Sequence, residues 1–167
     1  MTIALGDRLP EATFLEKGPE GIGPVPSAEL FGGRRVVLFG LPGAFTGMCS
    51  SRHVPSFIRV ADAIRAKGVD EIVCVSVNDP HVMLAWSESS GAGAAGIRML
   101  ADADGAFARA MGLTFDNPGA GLFGRSKRYA LMAEDGVVKV LNIETSRTDC
   151  ELSGGETMLE AIQGVRA

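Results

Sequence analysis

Cys49 stands in the stretch LPGAFTGMCSSRH (41–53), three residues after Thr46 and seven after Pro42. It lies behind the apolar run RRVVLFGL (34–41), which reads as a buried strand, and behind a turn that leads into a helical pattern. The unpaired N–H groups at a helix start favour negative charge, so this is a place for a thiolate, the nucleophilic form of cysteine. Thr46 suits the N-cap, with Gly47, Met48 and Cys49 as the first helical residues, and its hydroxyl then bonds the Cys49 amide or faces the sulfur. Arg128 is a second candidate activator, because a guanidinium stays charged and favours a thiolate beside it.

Taken singly, each of these residues has a plainer use. A lone cysteine is more often a small buried hydrophobe, a threonine before a helix an ordinary cap, and an arginine on a strand a solvated side chain. Only the constellation points to chemistry. His53 follows Cys49 by four residues and would share its helix face, the spacing of a Cys–His hydrolase pair. No orienting third group is visible, so His53 reads as a surface or packing residue. A non-enzymatic alternative is a binding module with Cys49 in its core. Two histidines and three scattered cysteines form no close-spaced ligand pairs, so a metal site is not expected, and no organic cofactor is called for.

The elements that must position Cys49 follow from the pattern. After the strand at 34–41 comes a helical region interrupted near Pro55, in which Phe57, Val60, Ala61 and Ile64 recur at helical spacing, Ser56 can cap, and Gly68 ends the helix. EIVCVSV (71–77) has the continuous apolar character of a central parallel strand. Asn78 or Asp79 then caps a helix closed by Gly91. IRML (97–100) is a strand, 105–111 a short helix ended by Gly112, and 114–126 a long turn-rich loop. KRYALMAE and VVKVLNIE flank Asp135-Gly136 as a tight hairpin, and SGGE (153–156) is a capping box for the last helix. A βαβ unit followed by a ββα unit is the thioredoxin-like arrangement: α/β, with a mixed, mostly parallel sheet, helices on both faces, and a C-terminal hairpin plus helix.

Composition bounds the rest. A chain of 167 residues is expected to form one domain, 1–167, large enough for its own core. A formal net charge of −4 without a basic tract speaks against nucleic acid and a membrane surface as partners. The N-terminus lacks the pattern of a signal peptide, and no apolar run reaches spanning length, so a cytoplasmic location with free thiols is expected.

With these residues in place the chain resembles the peroxiredoxins, in particular the type-II or type-V single-domain subfamily. The family pattern of proline, three residues, threonine, two residues and cysteine is matched by Pro42, Thr46 and Cys49, with further likeness in VSVNDPHVMLAW (75–86), RSKRYALM (125–132) and DGVVKVLNIE (135–144). The resemblance implies a thiol-dependent peroxidase that reduces hydrogen peroxide and alkyl hydroperoxides through a sulfenic acid at Cys49. It implies that Thr46 and the Cys49 amide position the peroxide, that Pro42 shields the sulfur, and that Arg128 of KRY, rather than Arg125, completes the site. It further implies a homodimer, regeneration by glutathione, glutaredoxin or thioredoxin, and no cofactor. Cys74, 25 positions after Cys49, matches the second cysteine of plant-type members, and Cys150 approximates the resolving region of mammalian ones. Both stay open beside an external thiol. Many members carry proline directly after the threonine; Gly47 here leaves the helix start less preorganised.

Overall fold

The structure, a computed structural model, describes residues 1–47, 49–145 and 151–164, with the backbone alone at positions 49 and 50. In chain order, a hairpin of β1 (Thr13–Gly18) and β2 (Gly21–Pro26) leads through α1 (Ser27–Phe31) into β3 (Arg35–Leu41). A π-helical turn over Cys49–His53 runs directly into α2 (Val54–Arg65). There follow β4 (Glu71–Ser76), α3 (Pro80–Ser90), β5 (Ile97–Ala101) and α4 (Ala106–Met111). The small pair β6 (Thr114–Asn117) and β7 (Leu122–Ser126) precedes β8 (Tyr129–Glu134), β9 (Val137–Ile143) and α5 (Gly155–Gln163).

Among the described residues one sheet takes seven strands in the order β2-β1-β5-β4-β3-β8-β9. Its centre, β3, β4 and β5, is parallel, and β8–β9 add antiparallel to β3 as expected. Alternation along β3 sends Val37, Phe39 and Leu41 to one face and Val36 and Leu38 to the other. The first face packs under α2, α3 and α5 through Phe57, Ile64, Trp86, Met158 and Ile162. The second packs under α1 and α4 through Leu30, Phe31, Phe107 and Met111. Phe39 and Phe57 stack with centroids 4.0 Å apart, which fixes α2 on the sheet directly behind the helical turn that begins at Cys49.

Several local signals act as expected. Asp79 caps α3 by accepting the Val82 N–H at 2.9 Å, and Gly91 ends it in the left-handed region. Asp135 and Gly136, with φ of 49° and 77°, make the two-residue turn between β8 and β9. Others act differently. Ser56 does not cap α2: its hydroxyl donates to the His53 carbonyl at 2.7 Å and accepts the Gly155 N–H at 2.9 Å, tying α2 to α5. No capping box forms at 153–156, because the N-cap is Gly154 and the Ser153 hydroxyl is engaged by Glu144. The β1–β2 hairpin is an addition to the expected order. Pro24 and Pro26 weaken the strand pattern of β2, and an edge strand tolerates them because its outer N–H row needs no partner. Likewise 114–126 is not a plain loop but an antiparallel pair with an irregular register between Phe115 and Asn117.

Candidate active site

β3 ends at Leu41 and the chain turns at Pro42, beyond the carboxyl ends of the parallel strands. The turn is tied down from three directions. Within it, the Thr46 hydroxyl donates to the Gly43 carbonyl at 2.7 Å. From the end of β4, the Asn78 side-chain carbonyl accepts the Ala44 N–H at 2.9 Å and the Ser76 hydroxyl at 2.6 Å. From β7, Arg125 Nη1 donates to the Pro42 carbonyl at 3.1 Å. Gly43 permits that approach, since a Cβ there would lie 2.6 Å from Arg125 Nη1 and 3.3 Å from the Thr46 methyl. Phe45 takes a φ of 63°, a conformation costly for a bulky residue that persists because its neighbours are fixed on both sides.

Arg128 precedes β8, just beyond the register pair Gly40–Tyr129, and so reaches the same end of the sheet. Its side chain is buried, and Nη1 lies 3.3 Å from His53 Nδ1. His53 Nε2 lies 2.9 Å from the Ser153 carbonyl. A carbonyl only accepts and a guanidinium only donates, so the imidazole carries its proton on Nε2 and presents the Nδ1 lone pair to Arg128. The ring is wholly buried beside Phe39 and Phe57. Burial first, then the Arg128 charge, lower its pKa from 6.5 to about 3, against a smaller opposing effect of the Ser153 bond. With both ring nitrogens engaged, His53 is therefore a neutral acceptor for Arg128 rather than a general base tuned near neutral pH. Behind it, the Ser153 N–H and hydroxyl both donate to Glu144 Oε2, at 3.0 and 2.9 Å.

The structure thus brings Pro42, Thr46, Arg128 and the backbone of Cys49 to one end of the sheet. Cys49 opens the helical segment that continues as α2. Cys74 lies fully buried in β4, opposite Phe39 and Met99 and on the face covered by α2. Met48 and Cys150 lie outside the described residues. Arg128 and Pro42 border a pocket of about 340 Å³ whose other walls include Phe115, Ile143 and Glu144. Among the described residues no cluster of three or more His, Cys, Asp or Glu side chains is placed to hold a metal ion. Sequence reasoning missed the anchoring role of Asn78 and the Glu144–Ser153–His53 chain. Asn78 carried a signal, as a short polar side chain at a strand end, but it reads equally well as a helix cap.

The redoxin family model matches residues 4–159. Peroxiredoxin-2E-2, chloroplastic, from Oryza sativa subsp. japonica is 48% identical over 165 residues, covering 96% of this chain and 73% of that protein. Peroxiredoxin-2C from the same plant is 44% identical, with 96% and 98% covered. The crystal structure of reduced Prx3 in complex with H2O2 from Vibrio vulnificus superposes with a TM-score of 0.89 at 47% identity, covering 96% of this chain and 99% of that one. With its thioredoxin-like fold and this likeness along nearly its whole length, the chain belongs to the redoxin family and, within it, to the peroxiredoxins, the thiol-dependent peroxidases related to the plant type-II enzymes.

Proposed function

We propose that Cys49 is the nucleophile of this peroxidase and that Pro42, Thr46 and Arg128 complete its site. The Cys49 thiolate attacks the terminal oxygen of a hydroperoxide; an S–O bond forms, the O–O bond breaks, and the leaving oxygen takes a proton to become water or an alcohol. Sulfur is oxidised to the sulfenic acid as the peroxide is reduced. The observation that carries this reading is the convergence of the Pro42–Thr46 turn, the helical start at Cys49 and the buried Arg128 guanidinium at one end of the sheet. Arg128 favours the thiolate and donates to oxygens that gain charge as the bond breaks. The Thr46 hydroxyl has committed its hydrogen to Gly43, which leaves its lone pairs to accept the hydrogen of a bound hydroperoxide. Pro42 lacks an N–H and walls the site.

The substrates proposed are hydrogen peroxide and alkyl hydroperoxides. The hydrogen peroxide complex of the Vibrio vulnificus relative supports the first, and the apolar walls Pro42, Phe115 and Ile143 support room for an alkyl group. Glutathione with glutaredoxin, or thioredoxin, then reduces the sulfenic acid. Cys74 and Cys150 are the internal alternatives, and Cys74 in its central strand requires the helix start to unwind first. Residues 1–167 act as one domain, as a homodimer in the cytoplasm, without nucleic acid or membrane. Among the described residues no helix is long and apolar enough to cross a membrane. Relatives named chloroplastic and mitochondrial make cell fractionation the test of compartment.

Titration of the reduced protein with hydrogen peroxide, followed by intact mass and peptide mapping, tests the central assignment. The expected result is one oxygen on the Cys49 peptide at one equivalent, and loss of peroxide turnover in Cys49→Ser. Normal turnover in Cys49→Ser, with loss in Cys74→Ser, overturns it.

A further inference from the structure

We propose that Glu144 is a positioning residue for peroxide reduction, acting on Arg128 through Ser153 and His53. This rests on the reading of Arg128 as the group that serves the reacting sulfur and peroxide.

Glu144 follows β9 and is held against residue 128 by its backbone, its N–H donating to the Arg128 carbonyl at 2.9 Å. Its buried carboxylate takes both the N–H and the hydroxyl of Ser153 on one oxygen. With two donors pinned to one acceptor, Ser153 has little freedom to move, and its carbonyl faces His53 Nε2 at 2.9 Å. That carbonyl decides the imidazole tautomer: while it accepts from Nε2, the lone pair must sit on Nδ1, aimed at Arg128 Nη1 3.3 Å away. Glu144 therefore holds the backbone of Arg128 directly and the acceptor of its guanidinium at two removes. A buried carboxylate is costly unless well bonded, and hydrogen bonds to a charged acceptor are stronger than neutral ones. A carboxylate used here fixes Ser153 more firmly than an amide would. The three links join residues separated by 9, 100 and 75 positions, so they couple the end of β9, the start of α5 and the helical turn of Cys49.

A double-mutant cycle tests this, read as the second-order rate constant for oxidation of the reduced enzyme by hydrogen peroxide in a single turnover, which is independent of the reductant. Glu144→Gln should slow oxidation roughly fivefold to tenfold in the wild-type background and less than about twofold in Arg128→Ala, because residues acting through one partner are not additive. In parallel, nitrogen NMR of the His53 ring should show the Nε2–H tautomer dominant in the parent and mixed in Glu144→Gln. Equal slowing in both backgrounds, or an unchanged rate and tautomer in Glu144→Gln while Arg128→Ala is slow, overturns the inference and leaves the Arg128 reading standing. An Arg128→Ala enzyme as fast as the parent overturns both. If Glu144→Gln does not fold, Ser153→Ala removes one of the two donors and leaves the carbonyl, and the same cycle should give roughly threefold slowing.

Discussion

Acid should destabilise this protein through His53 in a window that the structure defines. The imidazole is wholly buried, packed beside Phe39 and Phe57, and faces the Arg128 cation, so its pKa falls from 6.5 to about 3 on folding. A folded pKa below the unfolded one means that the unfolded chain binds the extra proton between those two values. Stability from this group is therefore fully present above pH 6.5, falls as the pH drops toward about 3, and changes no further below that. At about pH 4.5 the unfolded histidine has been gaining protons over two pH units, each worth about 1.4 kcal/mol, so His53 alone costs about 2.7 kcal/mol. With a urea m-value of about 2 kcal/mol/M, the midpoint should move down by on the order of 1 M from this source. Other groups titrate as well, so the assay compares urea unfolding of the parent and of His53→Gln at about pH 7.5, 6.0 and 4.5. The Gln variant starts lower because it disturbs a buried site, but it should lose markedly less on acidification. Parallel losses in the two proteins, or an imidazolium signal from His53 at about pH 5.5, refute the reasoning.

Other consequences are equally direct. Arg128→Lys keeps the charge and loses the planar fork, and kcat/KM for hydrogen peroxide should fall at least about tenfold with folding retained by circular dichroism; an unchanged kcat/KM counts against directed hydrogen bonding. Cys74→Ser and Cys150→Ser should each keep substantial turnover with a glutathione–glutaredoxin couple, whereas collapse in one of them, with a matching Cys49 disulfide in the oxidised parent, identifies that cysteine as the resolver. Gly43→Ala places a Cβ 2.6 Å from Arg125 Nη1 and should displace that guanidinium from the Pro42 carbonyl, lowering kcat/KM roughly tenfold while the melting temperature changes little. Asp79→Ala removes the cap of α3 at about 1 kcal/mol and should lower the melting temperature by about 2–4 °C without touching peroxide turnover.

What could be read in the chain before folding was whatever depends on neighbours in sequence. The apolar runs at 34–41 and 71–77, the Asp79 and Gly91 helix ends, and the Asp135-Gly136 turn declare themselves because periodicity, capping and left-handed conformations are settled within a few residues. The spacing of Pro42, Thr46 and Cys49 belongs to the same class, since one turn and one helix start bring them together. Where Ser56, Asn78 and Ser153 direct their hydrogen bonds did not. Each is a competent local cap by type, and each also meets a partner distant in sequence, Gly155, Ala44 and Glu144 respectively, because burial makes an unmet polar group costly wherever that partner lies. His53 shows the limit most clearly. Four residues from Cys49 it has the spacing of a catalytic base, yet its neutrality, tautomer and hold on Arg128 come from Phe39, Ser153 and Arg128 itself, all brought to it by the packing of α2 and α5 on one sheet face. The spacing that marks Cys49 is local information; the surroundings of His53 and Arg128 are made by desolvation and by contacts across 75 to 100 residues, which no window of sequence contains.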